Sequence, residues 1–156
     1  MITVLGLLCA VALQAQNGRD IYNRYSDEKG VSTVYISPSM FRLIGKIPDI
    51  NVGHDSVNLA PLIQSLEGLY VISTEDKTVS EKIMQEASAM VRKGKFELLM
   101  EAREDGAGCR AYVIPLGDII TSFVMLAYDQ SEATFICLDG MMNRAELEKV
   151  ISGVIK

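Results

Sequence analysis

The sequence predicts an α+β domain, a two-layer sandwich in which a mixed, mostly antiparallel sheet of about six strands carries helices mainly on one face. Three observations lead to this prediction. A long amphipathic helix is expected over residues 78–93, near the middle of the chain. Four β-rich segments joined by short turns follow it, and strands joined in this way pair antiparallel. Two earlier β-rich segments are separated by helical segments, so those two strands can be parallel.

The first element is a short helix in which apolar residues recur at helical spacing. They are Ile21, Tyr22 and Tyr25. Gly30 is typical of the residue after a helix end, and β-branched and aromatic residues predict a strand over 31–37. Ser37 and Pro38 then predict the start of a second short helix, with the serine as its cap. The apolar stripe of that helix is Met40, Phe41 and Ile44.

A polar loop leads to a third helix, with Gly68 beyond its end and a strand over 69–74. The apolar face of this helix is Leu59, Leu62, Ile63 and Leu66. The long helix that follows is predicted to start at a capping box formed by Thr78 and Glu81 and to end at Gly94. Its apolar stripe is Val79, Ile83, Ala87, Met90 and Val91.

Strands dominate the second half of the chain. Residues 96–103 alternate between apolar and charged side chains, which predicts a half-exposed strand. Asp105 and Gly106 form a turn signal after it. Three further strands are expected over 109–116, 120–128 and 133–139. Asn143 caps a last helix. The buried residues predicted for that helix are Leu147, Val150, Ile151 and Val154.

The first 15 residues carry no charged side chain, and a polar stretch follows. The apolar run is shorter than the about 20 residues that a membrane-spanning helix needs. A short apolar core that ends in small residues is typical of a secretory signal peptide. Cleavage after Ala15 is preferred to the A-x-A site at 10–12. We therefore predict a signal peptide over 1–15, no transmembrane anchor after processing, and a periplasmic or secreted protein.

Two features of this leader bear on the prediction. No basic residue precedes Arg19, so the signal peptide is expected to be truncated at its start. Cys9 follows Leu8 in the middle of the apolar core, which is a poor match to the modified cysteine of a lipoprotein. The alternative is a buried N-terminal helix of the fold, but the stretch lacks the polar face that such helices show.

Residues 16–156 are predicted to form one domain, because no repeat or linker interrupts them. A chain of about 140 residues buries roughly two thirds of its unfolded surface and folds without metal or disulfide. The net charge is −5, and no basic run exceeds two residues, which argues against nucleic acid as a partner.

Two cysteines follow the leader, Cys109 and Cys137, and export would permit a disulfide between them. They fall in the fourth and sixth predicted strands. In a meander those strands lie about 9–10 Å apart, beyond the ~7 Å limit for bridged Cα atoms. We therefore predict two free, buried thiols.

No catalytic or metal site is predicted. His54 is the single histidine, and it shares a loop with Asp49 and Asp55, so a weak metal site is the alternative to a solvated loop. Gly106 and Gly108 resemble part of a phosphate loop but stand between two strands, where a hairpin needs glycine.

Acidic side chains are concentrated on one predicted strand and its turn. They are Glu97, Glu101, Glu104 and Asp105. Paired acids can hydrolyse glycosides, but a sugar cleft also needs aromatic platforms, and the chain has no Trp. A solvated sheet face is the preferred interpretation. Most methionines are expected to fill the core, with Met141 and Met142 forming an exposed contact as the alternative for that pair.

The segments YNRYSDEKGVSTVYISPSMFRLIGK, EASAMVRKGKFELLMEARE and FICLDG carry a resemblance to a known family. The chain resembles small exported proteins of Bacteroidetes grouped as domain of unknown function 4252. The resemblance implies a signal peptide, an envelope location and a single α/β domain, and it supplies no catalytic residues.

The leading hypothesis is therefore a non-enzymatic envelope module, without cofactor, that binds an envelope protein or a small ligand in a regulatory or stress role. It predicts an exposed apolar patch or an open sheet face. A carboxylate-dependent hydrolase is the second hypothesis, and it predicts acids with raised pKa values in a concave pocket. A structural oligomeric subunit is the third, and it predicts a self-complementary apolar face.

Overall fold

The computed structural model describes residues 17–44 and 63–148. Helices and strands alternate in the first part of the chain, and strands follow one another in the second. In chain order the elements are α1 (Gly18–Tyr25), β1 (Val31–Ile36), α2 (Pro38–Ile44), β2 (Leu66–Thr74), α3 (Lys77–Lys93), β3 (Glu97–Glu104), β4 (Ala107–Leu116), β5 (Ile119–Tyr128) and β6 (Ala133–Asn143). Residues 144–148 are also helical. The fold is α+β, as predicted.

The six strands form one sheet in the order β1-β2-β6-β5-β4-β3, and every pairing is antiparallel. The expectation that β1 and β2 can be parallel is wrong, because Val31 pairs with Thr74 and Ile36 with Leu69. Residues 37–65 connect the two strands, which is long enough for either direction, so the helical signal between the strands does not decide how they pair.

Helices α1 and α3 cover one face of the sheet and close the main core. Asn17 caps α1 by accepting from the Asp20 N–H at 3.0 Å, and Asp20 completes a capping box. Residues from both helices pack against β2, β5 and β6. The buried members of this core are Ile21, Tyr25, Tyr70, Ile72, Ile83, Ala87, Met90, Val124, Leu126, Phe135 and Cys137. The predicted stripe of α3 is therefore confirmed.

The start of α3 differs from the prediction. Asp76, not Thr78, is the cap, and its Oδ1 accepts from the Val79 N–H at 2.9 Å. The capping box of Thr78 and Glu81 is wrong because β2 ends at Thr74 and the helix begins almost at once, at Lys77. Aspartate at this position accepts a hydrogen bond from an unpaired N–H of the first helical turn, as the predicted threonine would.

A second, smaller core lies at one end of the opposite face. Phe41 of α2 and Leu147 pack there against the sheet. The remaining buried residues of this core are Leu66, Val113, Ile120 and Met142. Asn143 caps the last helix as predicted, accepting from the Ala145 N–H at 2.9 Å. Met40 was expected in the apolar stripe of α2 but is 48% exposed. Val150, Ile151 and Val154 lie outside the described residues.

Two predicted boundaries are corrected. Helix α1 ends at Tyr25, and Gly30, with φ +77°, instead leads into β1. Leu66 and Gly68 belong to β2 and not to a helix and its end. Leu66 pairs with Gly140 and Gly68 with Asp139, so Glu67 forms a β-bulge that hides the two-residue strand period in the sequence.

Candidate functional site

The sheet has two faces that differ in what covers them. We call the face under α1 and α3 the closed face. Its strand residues in the middle of the sheet are almost fully buried, such as Phe135 and Val124, both at 0% exposure. We call the opposite face the open face. Among the described residues outside the sheet, Ile63, Leu147 and those of α2 cover one end of it.

Strand register aligns the open face into two rows that cross all six strands. The first row is apolar and consists of Val34, Val71, Ile136, Met125, Ala111 and Met100. The second row has small side chains and consists of Ser32, Ser73, Thr134, Ala127, Cys109 and Ala102. None of these residues is charged, although 22% of the chain is Asp, Glu, Lys or Arg. Two adjacent uncharged rows of this length are typical of a surface that another molecule covers.

Exposure confirms that the rows are accessible. Val34 is 50% exposed and Met100 is 41% exposed at the two edges. Val71, Ile136 and Met125 in the central strands are partly exposed, whereas Ala111 is buried. The only polar contact that joins the strands in these rows is the hydroxyl pair of Ser73 and Thr134, 3.0 Å apart, as far as the described residues show.

A shallow groove of about 660 Å³ lies where the small row meets the end of the sheet. Its lining includes four members of the small row, namely Ala102, Cys109, Ala127 and Thr134. Charged residues surround it: Glu104, Asp129, Glu132 and Arg103. A second groove of about 350 Å³ lies at the same end of the sheet near β1 and shares Glu132 with the first. It is lined by the small row's Ser32 and Ser73 and by Glu75 and Asp76. We call the two together the end grooves.

Asp129 is held as an anion at this end of the sheet. Its Oδ1 accepts from the N–H groups of Ser131 and Glu132 at 2.7 and 2.8 Å and from the Ser131 hydroxyl at 2.9 Å. The two backbone hydrogen bonds, followed by the hydroxyl, hold the pKa of Asp129 below its ordinary value. The turn between β5 and β6 therefore keeps its negative charge at neutral and mildly acidic pH.

The acidic residues of β3 do not converge. Glu97 pairs with Val113 and lies on the open face, whereas Glu101 pairs with Arg110 on the other face, because a bulge at Leu99 interrupts the alternation. Glu101 accepts from Arg110 at 2.7 Å and lies 3.1 Å from Arg103. Desolvation raises the pKa of Glu101, but its hydrogen bonds and charge interactions with the two arginines together lower it overall. The hydrolase hypothesis predicted a raised pKa, so this geometry does not favour it.

Strand β3 itself is an exposed edge. The prediction of a half-exposed strand is wrong, because all eight residues are exposed. The edge position contributes to this, since β3 has a neighbouring strand on one side only and no described helix packs extensively against it. Three consecutive large apolar residues are exposed here: Leu98 at 57%, Leu99 at 47% and Met100 at 41%. A β-bulge such as the one at Leu99 is a common feature that protects exposed edge strands against unspecific pairing.

The closed face contains a small polar cluster beneath α1. The Ser122 hydroxyl donates to Asp139 Oδ1 at 2.8 Å, and Cys137 Sγ lies 3.6 Å from the same oxygen. Burial, and then the charge of Asp139, raise the pKa of the Cys137 thiol far above its usual range. A thiol in this state is not a nucleophile. The backbone of α1 contacts it closely, since a Cβ added to Gly18 would lie 2.2 Å from Cys137 Sγ.

The cysteine prediction is confirmed in its main point, because Cys109 and Cys137 are both free. Strand β5 lies between their strands, as the meander argument required. They also lie on opposite faces, Cys109 in the small row and Cys137 in the main core. Cys109 is only partly buried, so the prediction that both thiols are buried is wrong for this residue.

The other sequence candidates carry no site in the described residues. Gly106, with φ +74°, forms the β3–β4 hairpin turn as predicted. Met141 is 56% exposed and Met142 is fully buried, so the pair does not form one contact. Asp49, His54, Asp55 and Cys9 lie outside the described residues. Within 17–44 and 63–148, no group of three metal-binding side chains occurs, and no helix is long and apolar enough to cross a membrane.

The open face was predicted only in general terms, and its residues were missed. A signal for it is present in the sequence. Between Phe123 and Tyr128, and again between Ala133 and Leu138, both alternating sets of side chains are uncharged. That pattern is typical of strands covered on both faces. Among the described elements, helices cover one face of the sheet, whereas much of the opposite face is not covered.

The fold and surface define a class: a small α+β module with one closed and one open sheet face. Comparison with known proteins then places it. Residues 25–150 match the model of the family described as Domain of unknown function (DUF4252), and the chain belongs to this family. No curated protein and no solved structure matches the chain significantly.

Proposed function

We propose that the chain is an exported, non-enzymatic module that binds another protein through the open face of its sheet. One observation carries the proposal. Two rows of uncharged side chains cross all six strands and remain accessible at a position where a second layer would cover them. Burying such a surface contributes roughly 25 cal/mol per Å² of apolar area, which favours association with a complementary protein surface.

Two features support binding over catalysis. Glu97 and Glu101 of β3 point to opposite faces, and Glu101 is paired with two arginines. The buried Cys137 is held as a neutral thiol. The proposal of export rests on the uncharged leader over 1–15 and its boundary with a polar stretch.

Site-specific photocrosslinking in cells that naturally produce the protein tests the proposal. A photoreactive residue at Met125 or Val71 on the open face should give one discrete adduct with a partner protein. The same residue at Asn23, which is exposed on α1, is the matched control and should give none. An excess of purified wild-type protein should suppress the adduct, and an excess of folded Val71→Lys protein should not. Equal labelling from Asn23, or equal competition by the two proteins, contradicts the proposal.

The exposed edge strand favours a second candidate, an oligomeric structural subunit. Leu98, Leu99 and Met100 could pair with a second copy across β3. Sedimentation of the purified protein decides between the two. A dimer that becomes a monomer on Leu98→Lys substitution supports the subunit, and a wild-type monomer excludes it.

A further inference from the structure

We propose that the end grooves of the open face bind an amphipathic helix that carries positive charge on one flank. This inference rests on the proposed function and names the chemistry of the partner segment. The floor of the end grooves is uncharged. Charged residues at their rim favour one kind of partner segment.

Dimensions fit a helix that crosses the strands. The small row contains Ala102, Cys109 and Ala127 beside Thr134 and Ser73, so the floor lies lower than the neighbouring row of Met125, Ile136 and Val71. A helix with side chains is about 10 Å wide. Six strands spaced by about 4.8 Å give a sheet about 24 Å across, which a helix of about 16 residues spans. The apolar row would contact one flank of that helix.

The charged residues at the rim of the grooves determine which charge the helix should carry on its other flank. The end grooves are lined by five carboxylates and one cation. The carboxylates are Glu75, Asp76, Glu104, Asp129 and Glu132, and the cation is Arg103. Arg103 already pairs with Glu101 at 3.1 Å, so its charge is partly compensated. Lysine or arginine on the helix would meet this rim, and acidic residues there would be repelled.

Asp76 and Asp129 have structural roles in a cap and a turn, whereas Glu132 lies in both grooves. The Glu132→Lys substitution is therefore the sharpest single change. Glu67 offers a matched control, because it is exposed at the opposite end of β2 and its change to Lys alters the net charge equally.

The experiment uses three designed peptides of about 16 residues and the purified protein. The first has a Leu/Ala face with lysines along one flank, the second has the same face with glutamates along that flank, and the third is a scrambled version of the first. Fluorescence anisotropy measures their binding. We expect the lysine peptide to bind at least about tenfold more tightly than the other two, and added salt to weaken it. Glu132→Lys should weaken it roughly fivefold, about 1 kcal/mol, and Glu67→Lys should leave it unchanged.

Each contrary result leads to a different conclusion. If lysine and glutamate peptides bind equally, charge selection is wrong, while binding by the open face stands. If the scrambled peptide binds as well as the first, or if Glu67→Lys weakens binding as much as Glu132→Lys, the site is wrong. If no peptide binds, the helix inference is overturned, and the crosslinks from Met125 and Val71 still decide the proposed function independently. If Glu132→Lys fails to fold, the salt dependence of the wild-type protein still supports or contradicts the role of charge.

Discussion

Phe135 and Ile136 are consecutive residues of β6, yet the first has no exposed surface and the second is partly exposed. The same contrast holds between Val124 and Met125 of β5. Both faces of these strands are apolar, but only one is closed by α1 and α3. This contrast shows that hydrophobic composition alone does not identify the core. What matters is which face the described helices cover, and our proposal is that the remaining apolar face binds another protein.

Adjacent truncations in β6 give the largest expected contrast. Phe135→Ala should lower the free energy of unfolding by about 3–5 kcal/mol, because it removes a fully buried ring from the main core. Ile136→Ala should cost only about 1 kcal/mol, because its side chain already contacts solvent. Urea unfolding measures both. Equal losses would mean that the open face is packed as tightly as the closed one.

A methyl group at Gly18 tests how tightly the closed face is packed. Its Cβ would lie 2.2 Å from Cys137 Sγ and 2.6 Å from Cys137 Cβ. Gly18→Ala should therefore destabilise the protein by about 1–3 kcal/mol. The second change Cys137→Ala should recover part of that loss, since the two sites are coupled. Strictly additive losses in the double variant would show that α1 does not approach β6 this closely.

A smaller effect is expected at high pH. Burial raises the pKa of Tyr25 to about 12, with a further contribution from its hydrogen bond to Glu86 Oε1 at 2.7 Å. The unfolded tyrosine ionises near its ordinary value of about 10. Below pH 10 the phenol is neutral in both states, so stability is unaffected; between pH 10 and 12 the unfolded chain loses the proton first, and stability falls.

The Tyr25→Phe variant is the control for this titration. It should lose about 1 kcal/mol at neutral pH with the hydrogen bond and show a shallower fall in stability above pH 10. Unfolding measured across this range, together with phenolate absorbance, checks both. If the variant and the wild type fall equally, Tyr25 is not the group that titrates.

The strands and the long helix could be predicted because their signals are local. The stripe of α3, the β3–β4 turn at Gly106 and the cap at Asn143 depend on neighbours within a few residues. The direction of β1 relative to β2 was not predictable in this way, since it depends on pairing between segments that are distant in the chain. The bulges at Glu67 and Leu99 were also not predicted, because each disrupts the two-residue period on which strand prediction depends.

The candidate site could be predicted only as a type of surface. The open face joins residues from six strands, from Val34 to Ile136, and their alignment is set by pairing register. A single sequence does not contain that register. The end grooves were missed for the same reason, because Glu75, Glu104 and Glu132 are distant in the chain and meet only at one end of the sheet.

The two cysteines among the described residues permit the most direct test of the proposal, because one reports on each face. Cys109 is partly exposed in the small row, and Cys137 is 1% exposed in the core. A thiol-alkylating reagent should modify Cys109 in the purified, folded protein and leave Cys137 unmodified. In intact cells that produce the protein, a partner on the open face should slow the reaction of Cys109 markedly and leave Cys137 unmodified as before. An equal rate at Cys109 in cells and in the purified protein would contradict the claim that this face is a protein-binding surface.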